Sequence, residues 1–256
     1  MKKFKALGVD IAVTSLEDIA RRIESWAGGT EEHVVCFSDV HGVVKGHDDA
    51  AMKEALVSAD IVSPDGHPVA WVGRALYGLP AKRACGPDFL DFLASRSPSS
   101  GLKHYFFGGK PGVAEELADV LRKKYPGIQI VGTDTPPMGV STPEQLDEQL
   151  NRILAAKPDV VWVGLGAPKQ EIWMSKNRHR LPGITLCGIG AAFDFHTNRV
   201  KRAPLWMREH SLEWLYRAFS EPKRLGTRYL KTIPRFLFLL SRQALQMAFK
   251  GNLRRG

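Results

Sequence analysis

Three runs in this sequence end in closely spaced glycines, and the residues around them are of the kinds that hold phosphate. They are "FFGG" with Gly108 and Gly109, "VGLG" ending at Gly166, and "CGIG" ending at Gly190. Glycine at the carboxyl end of a parallel strand lets backbone amides approach a ligand, and open α/β sheets bind ligands at that edge. A single run of this kind needs no more than a tight turn; three favour a shared nucleotide crevice. After Gly166 comes Ala-Pro-Lys-Gln-Glu, where Pro168 suits a helix start and Lys169, Gln170 and Glu171 crowd the first turn. Glu171 is equally well explained as a favourable charge at a helix N-terminus. Asp65, within "SPDG", reads locally as a turn residue bonding its own backbone. Asp194 stands isolated after the last glycine-ended run, open either to capping a short turn or to binding sugar hydroxyls. Arg74 and Arg83 lie near "CGPDF", within reach of phosphate, and Lys201-Arg202 follows later. Arg217, Arg224 and Arg228, spaced seven and four apart, share a helix face if a helix runs through Pro222.

These groups need elements to carry them, and the chain shows a regular alternation. Strand patterns at 33–37, 60–63, 103–109, 128–133, 159–166 and 184–190 alternate with amphipathic helical stretches, among them 112–125 and 142–156. Thr142, with Pro143 behind it and Gln145 three residues on, reads as a capping box. A hairpin near 6–13 and helices from Leu16, near 39–58, from Gly66 and from Pro87 complete the first hundred residues. Apolar strands between amphipathic helices argue for a parallel sheet covered on both faces. The Ser/Pro/Gly-rich stretch "SRSPSSG" (95–101) is the expected boundary between two parts of one compact body.

Composition narrows the class. The 256 residues carry a net charge of +9, yet from Pro222 onward there are nine Lys or Arg and no Asp or Glu. The preceding 221 residues are balanced, with 27 charges of each sign. A neutral body with a basic tail points to phosphate. None of the glycine runs is G-x-G-x-x-G, and G-x-x-x-x-G-K-[ST] is absent, which argues against a dinucleotide oxidoreductase and a P-loop NTPase. Three widely spaced cysteines offer no disulfide framework or paired zinc site, and the eight histidines show no ligand spacing. No signal peptide is visible and "FLFLL" is too short to span a bilayer, so a cytoplasmic protein is expected.

Taken in order, "ADIVSPDG", "GLGAPKQE", "FDF", "KRAP" and "EWLYR" resemble the WecG/TagA/CpsF family of bacterial glycosyltransferases, over about residues 7–230. The resemblance implies an inverting transferase that moves N-acetylmannosamine, its uronic acid or glucose from a UDP-sugar to a polyprenyl-diphosphate-linked acceptor in cell-surface polysaccharide synthesis. It implies Asp65 as general base, and C-terminal arginines (Arg217, Arg224 and Arg228 here) that fold over the nucleotide. Arg83 fits the family's basic position before its Gly-x-[DS] turn, and Arg202 stands in the matched K-R-A-P. The chain departs from the family at "CFSDVHG", where Ser38 and Asp39 stand nearest the usual Asn-containing positions and His41 is retained. That departure bears on which sugar is taken.

The implied chemistry needs a deprotonated acceptor hydroxyl and a neutralised diphosphate leaving group. The chain has no Asp-x-Asp to hold a metal, so no cofactor or metal is expected. Backbone amides, helix N-termini and basic side chains would meet the diphosphate, and Gln170 would bond sugar or uridine.

The expected fold is α/β: a Rossmann-like parallel sheet flanked by helices. Residues 1–97 form a smaller N-terminal α/β part with the base, 98–200 the nucleotide-sugar-binding part, and 201–256 a basic helical appendage. In that appendage Phe236, Leu240, Ala244 and Met247 fall on one helical face, suited to an anionic membrane surface on the inner face of the cell membrane. Packing of that helix on the body or on another subunit of a homo-oligomer is the competing expectation. Nucleic acid is not expected, for lack of a recognised module. The alternative from another class is a non-catalytic nucleotide-binding protein with a basic membrane anchor.

Overall fold

The computed structural model describes residues 1–253 except Met138 and Val140; the side chains of Arg224 and of residues 250–253 lie outside the described set. An antiparallel hairpin, β1 (Lys3–Ala6) and β2 (Val9–Ala12), opens the chain, followed by α1 (Leu16–Trp26) and β3 (His33–Ser38). Two short helices, α2 (Val40–Asp48) and α3 (Ala50–Val57), lead to β4 (Ile61–Pro64), then α4 (His67–Tyr77) and α5 (Gly86–Ser100). The alternation then becomes strict: β5 (Lys103–Gly108), α6 (Val113–Lys124), β6 (Gln129–Asp134), α7 (Pro143–Ala156), β7 (Val160–Gly164), α8 (Lys169–Asn177), β8 (Thr185–Gly188) and α9 (Ala192–His196). The C-terminal segment is helical: α10 (Leu205–Glu209), α11 (Glu213–Ser220) and α12 (Thr227–Leu253).

The six strands β3–β8 form one parallel sheet in the order β4-β3-β8-β7-β5-β6. Strands from both sides of the expected boundary therefore join a single sheet. Alternate strand residues face opposite cores, as the two-residue period requires. Val34, Cys36, Val161, Val163 and Leu186 pack with the hairpin and with α2, α3, α4 and α7. Val35, Phe37, Phe106, Trp162 and Cys187 pack under α1, α5, α6 and α9. Buried polar groups on the second side are paired, as a low-dielectric core demands. Trp162 Nε1 donates to His104 Nδ1 (3.0 Å), and His104 Nε2 meets Ser97 Oγ at 2.6 Å. Burial pushes His104 down to about 3, so its ring is neutral and accepts from the indole.

Two expectations change. "SRSPSSG", the expected boundary, is the helical end of α5, with Pro98 inside the helix. Its serines bond back to helix carbonyls: Ser95 Oγ to Phe92, Ser97 Oγ to Leu93 and Ser99 Oγ to Arg96. Gly101, at φ 74°, ends the helix where a left-handed residue is needed. The second change concerns the tail. The helix does not run through Pro222: α11 stops at Ser220, and a π-type turn over Pro222–Gly226 redirects the chain into α12. The face holding Phe236 and Leu240 is not free for a membrane. Phe236, Leu239 and Leu240 are buried in the core on the side of α2, and Gln243 bonds Leu7 N, Lys5 O and Tyr77 Oη. Arg235 pairs with Asp48 at 2.8 Å. Helical spacing places a second apolar set, Leu230, Leu237, Phe238, Leu245 and Phe249, opposite the docked one, and all five are exposed.

Candidate active site

The carboxyl ends of β3, β4, β7 and β8 lie side by side, because these strands are neighbours or near neighbours in one parallel sheet. That places Ser38-Asp39, Asp65, the Gly166 turn and Gly190 along one edge. Register supplies the local detail: Ser38 is opposite Pro64, and the Asp65 amide donates to the Ser38 carbonyl at 3.0 Å. Asp65 is thus the first residue beyond β4, directly beside the end of β3. Asp39 caps α2, accepting from Gly42 N at 2.8 Å. A Cβ at Gly42 would lie 2.4 Å from Ser38 Oγ, so a larger residue there would displace that hydroxyl.

Electrostatics single out Asp65. Its side chain keeps some surface, yet protein surrounds the carboxyl on most sides. Burial, and next the charge of Asp39, raise its pKa from 3.8 to about 8 against the opposing effect of Arg83. Glu171, at the start of α8, is raised to about 7, by burial first; its hydrogen bond from Gln170 works the other way. Gln170 is buried and bonded at both ends of its amide: its Oε1 accepts from Gly166 N (3.1 Å) and its Nε2 donates to Glu171 Oε1 (2.9 Å). It therefore braces the Gly166 turn. The buried Glu171 Oε2 and Ser38 Oγ have no hydrogen-bond partner.

Arg83 and Arg202, both expected to meet phosphate, are held in an ion-pair network. Arg83 bonds Asp88 (3.0 Å) and Glu213 (2.7 Å), while Arg202 bonds the same two carboxylates at 2.5 and 3.2 Å. Their side chains are only 15% and 17% exposed. Burial alone would raise Asp88, but the Arg202 hydrogen bond and charge outweigh it and hold the carboxyl at about 2. Cys85 Sγ also bonds Asp88, at 2.8 Å. Through Glu213 this network fastens α11 to the start of α5, so the C-terminal segment closes over the Asp65 side of the sheet edge. Asp88 and Glu213 do not stand out in the sequence, although they lie in "CGPDF" and "EWLYR". Arg202 and Asp88 are 114 residues apart, and Arg83 and Glu213 are 130 apart, separations that carry no sequence signal of pairing.

The remaining expected residues take distinct places. Arg217 lies 5.2 Å from the ring centroid of Phe195 in α9 and 3.8 Å from Glu221. Arg228 lies over Tyr229 at 5.6 Å, and its charge helps lower the pKa of His41, which burial chiefly depresses. His41 Nδ1 is 3.4 Å from Thr232 Oγ1 of α12. Arg217 and Arg228 each keep a buried Nε without a partner. The Arg224 side chain lies outside the described residues. Lys169 is exposed at the crevice, and Asp194 is half-buried within α9, where its carbonyl accepts from Val200 N at 3.1 Å.

The glycines divide into two kinds. Gly166, at φ 75°, has open space where a side chain would be. Gly108, at φ 129°, has none, because a Cβ would come within 2.7 Å of the Gly164 backbone. Gly109 is similarly hemmed in by Val113 at 3.0 Å, and Gly190 abuts Gln170 Oε1 at 3.5 Å. Gly166 thus opens the crevice, while Gly108 and Gly109 permit close packing of β5 against β7 and α6.

Among the described residues no group of three or more His, Cys, Asp or Glu side chains could hold a metal ion. In the same set no helix is long and apolar enough to cross a membrane.

Comparison with known proteins places the chain in a family. Residues 4–250 match the model of the glycosyl transferase WecG/TagA/CpsF family. A Bacillus spizizenii protein named N-acetylglucosaminyldiphosphoundecaprenol N-acetyl-beta-D-mannosaminyltransferase is 33% identical over 183 residues, which cover 71% of this chain and 68% of that one.

Proposed function

The chain belongs to the WecG/TagA/CpsF family of glycosyltransferases, and on that premise we propose that it transfers N-acetylmannosamine from a UDP-sugar to a polyprenyl-diphosphate-linked N-acetylglucosamine. The name of the B. spizizenii relative supports this sugar and acceptor over the uronic acid and glucose. The observation that carries the reading is the position of Asp65: a carboxyl of raised pKa at the carboxyl edge of the sheet, between Asp39 and Arg83. In the transfer step the acceptor hydroxyl oxygen bonds to the anomeric carbon as the bond from that carbon to the UDP oxygen breaks. The hydroxyl proton passes to Asp65, and one displacement inverts the anomeric centre. The departing UDP gains negative charge. Arg217 and Arg228, each with an unpartnered Nε, and Arg224 are the groups assigned to neutralise it.

In this reading Gln170 and Glu171 shape the Gly166 turn, and Lys169 and Asp194 line the donor side. Arg83 and Arg202 tie the closing segment to the base. The exposed apolar face of α12, with Lys231 and Arg242 beside it, rests on the anionic inner surface of the cell membrane, where the lipid-linked acceptor resides.

The test is UDP release by the purified chain with a short-chain lipid-diphosphate N-acetylglucosamine and a panel of UDP-sugars. Release with UDP-N-acetylmannosamine that requires the acceptor is expected. Binding of UDP with no acceptor-dependent release from any donor would refute the proposal.

A further inference from the structure

Building on the transfer reaction proposed above, we infer that a cationic pocket beside Asp65 holds the acceptor's diphosphate, and that apolar side chains on its rim receive the first isoprenoid units. The pocket has a volume of about 440 Å³ and is walled by His67, Arg74, Lys82 and Arg83 on one side and by Leu205 and Arg208 of α10 on the other. It begins where the proposed base ends, since His67 opens α4 two residues after Asp65. A sugar whose hydroxyl faces Asp65 carries its anomeric diphosphate across the ring, towards this pocket.

The charges fit an anion. Arg83, together with Arg202, is matched by Asp88 and Glu213. Of the lining groups that leaves Arg74, Lys82 and Arg208 against Glu209, an excess of two positive charges before His67 is counted. Arg74 uses one N–H on the Ala81 carbonyl (2.7 Å), with the rest of its fork exposed. Lys82 is exposed, and Arg208 lies 3.5 Å from Asp88 with its Nε buried and unpartnered. Two guanidinium forks and an ammonium around one cavity suit a diphosphate.

The rim fits a hydrocarbon tail. Trp71 follows His67 by four residues and precedes Arg74 by three, so it shares their face of α4, and it is 51% exposed. Leu205 and its neighbour Trp206 are 59% and 57% exposed. A polar pocket with exposed aromatic and aliphatic side chains beside it complements an anionic head on an apolar chain. A nucleotide needs no such rim. The C-terminal arginines Arg217 and Arg228 do not line this pocket: Arg217 lies over Phe195, which Arg202 also approaches at 5.9 Å, and Arg228 lies near His41.

The full-length chain and its Arg74→Gln/Lys82→Gln variant test this, with farnesyl diphosphate, farnesol, inorganic pyrophosphate and UDP as titrants. Both replaced side chains are exposed, so the fold should persist. Farnesyl diphosphate affinity and acceptor KM should each worsen by about tenfold or more, as expected for two lost charge-assisted contacts. UDP affinity and donor KM should stay unmoved, and wild type should hold farnesyl diphosphate more tightly than pyrophosphate or farnesol. Three results would each overturn the inference: unchanged farnesyl diphosphate affinity, a loss of UDP affinity instead, or pyrophosphate binding as tight as farnesyl diphosphate. If the lipid diphosphate binds through these residues but no UDP-sugar supports transfer, the proposed reaction fails while the pocket stands. If transfer occurs and the variant leaves acceptor KM unmoved, the reaction stands and the pocket assignment fails.

Discussion

Replacing Asp65 by Asn tests both the proposed base and the field that tunes it. With a pKa of about 8, the carboxyl is about 9% ionised at pH 7 and about 90% at pH 9. Wild-type kcat/KM should therefore climb about tenfold over that interval, with unit slope below pH 8. The Asn variant should lose this limb and, at pH 9, roughly a hundred-fold or more of its turnover. Stability should move the other way. A folded pKa above the unfolded one means that Asp65 contributes stability in full below about pH 4, and loses it as pH rises through 8. At about 1.36 kcal/mol per pH unit the bare shift would amount to about 5–6 kcal/mol. Access of solvent to the partly exposed side chain reduces that to about 1–2 kcal/mol. The Asn variant should then match wild type near pH 4 and melt about 2–6 °C higher at pH 9. Acceptor-dependent UDP release across pH, with melting curves in the same buffers, measures both. A variant that keeps the alkaline limb, or melts lower than wild type at pH 9, would refute the reasoning.

Four further perturbations probe the surroundings. Glu213→Ala strips one partner from both Arg83 and Arg202, and should cost about 3 kcal/mol and expose the chain after residue 202 to protease; an unchanged digestion pattern would count against the closure role. Glu171→Gln removes a carboxyl raised to about 7, whose stabilising contribution is present below pH 4.5 and lost as pH rises through 7. The variant's melting temperature should therefore fall less than that of wild type between pH 5 and 8. Polar replacement of Leu237, Phe238, Leu245 and Phe249, all exposed, should abolish co-sedimentation with anionic vesicles without lowering the melting temperature. Equal sedimentation would put the membrane contact elsewhere. Turnover should survive EDTA, since the chain has no Asp-x-Asp; loss that magnesium or manganese restores would overturn the arginine-based account of the leaving group.

Truncation after Arg228 illustrates how the tail's two faces differ. On composition the segment reads as a detachable basic anchor. In the fold its removal would uncover the core around Phe236, Leu239 and Leu240 and break three Gln243 hydrogen bonds. Surface substitutions on the outer face are therefore the informative experiment.

Much of the architecture could be read locally. The Thr142 capping box, the glycine-ended strands and the apolar runs of β3, β5, β7 and β8 are short-range patterns, and each appears where its residues imply. Their physics lies within a few residues: a hydroxyl on a free amide, a left-handed turn, a strand buried on both faces. The order of residues around "SPDG", "GLGAPKQE", "KRAP" and "EWLYR" likewise sufficed to point to the family. "SRSPSSG" is helical although its composition reads as a boundary, because its serines bond back to their own helix while Leu93, Ala94 and Ser97 are buried.

Only the tertiary structure decided how the charged residues are used. Arg83 and Arg202 look alike to Arg217 in the sequence, yet the first two meet Asp88 and Glu213 while Arg217 rests on Phe195. Asp65 and Asp39 are 26 residues apart and become neighbours because β3 and β4 pair in parallel, Ser38 against Pro64. That adjacency, with burial, turns an ordinary turn aspartate into a carboxyl that holds its proton at neutral pH. Residue type and spacing determine which groups a chain has to offer. Charge state and partner depend on desolvation and on distances between elements remote in sequence, which exist only once the sheet has closed.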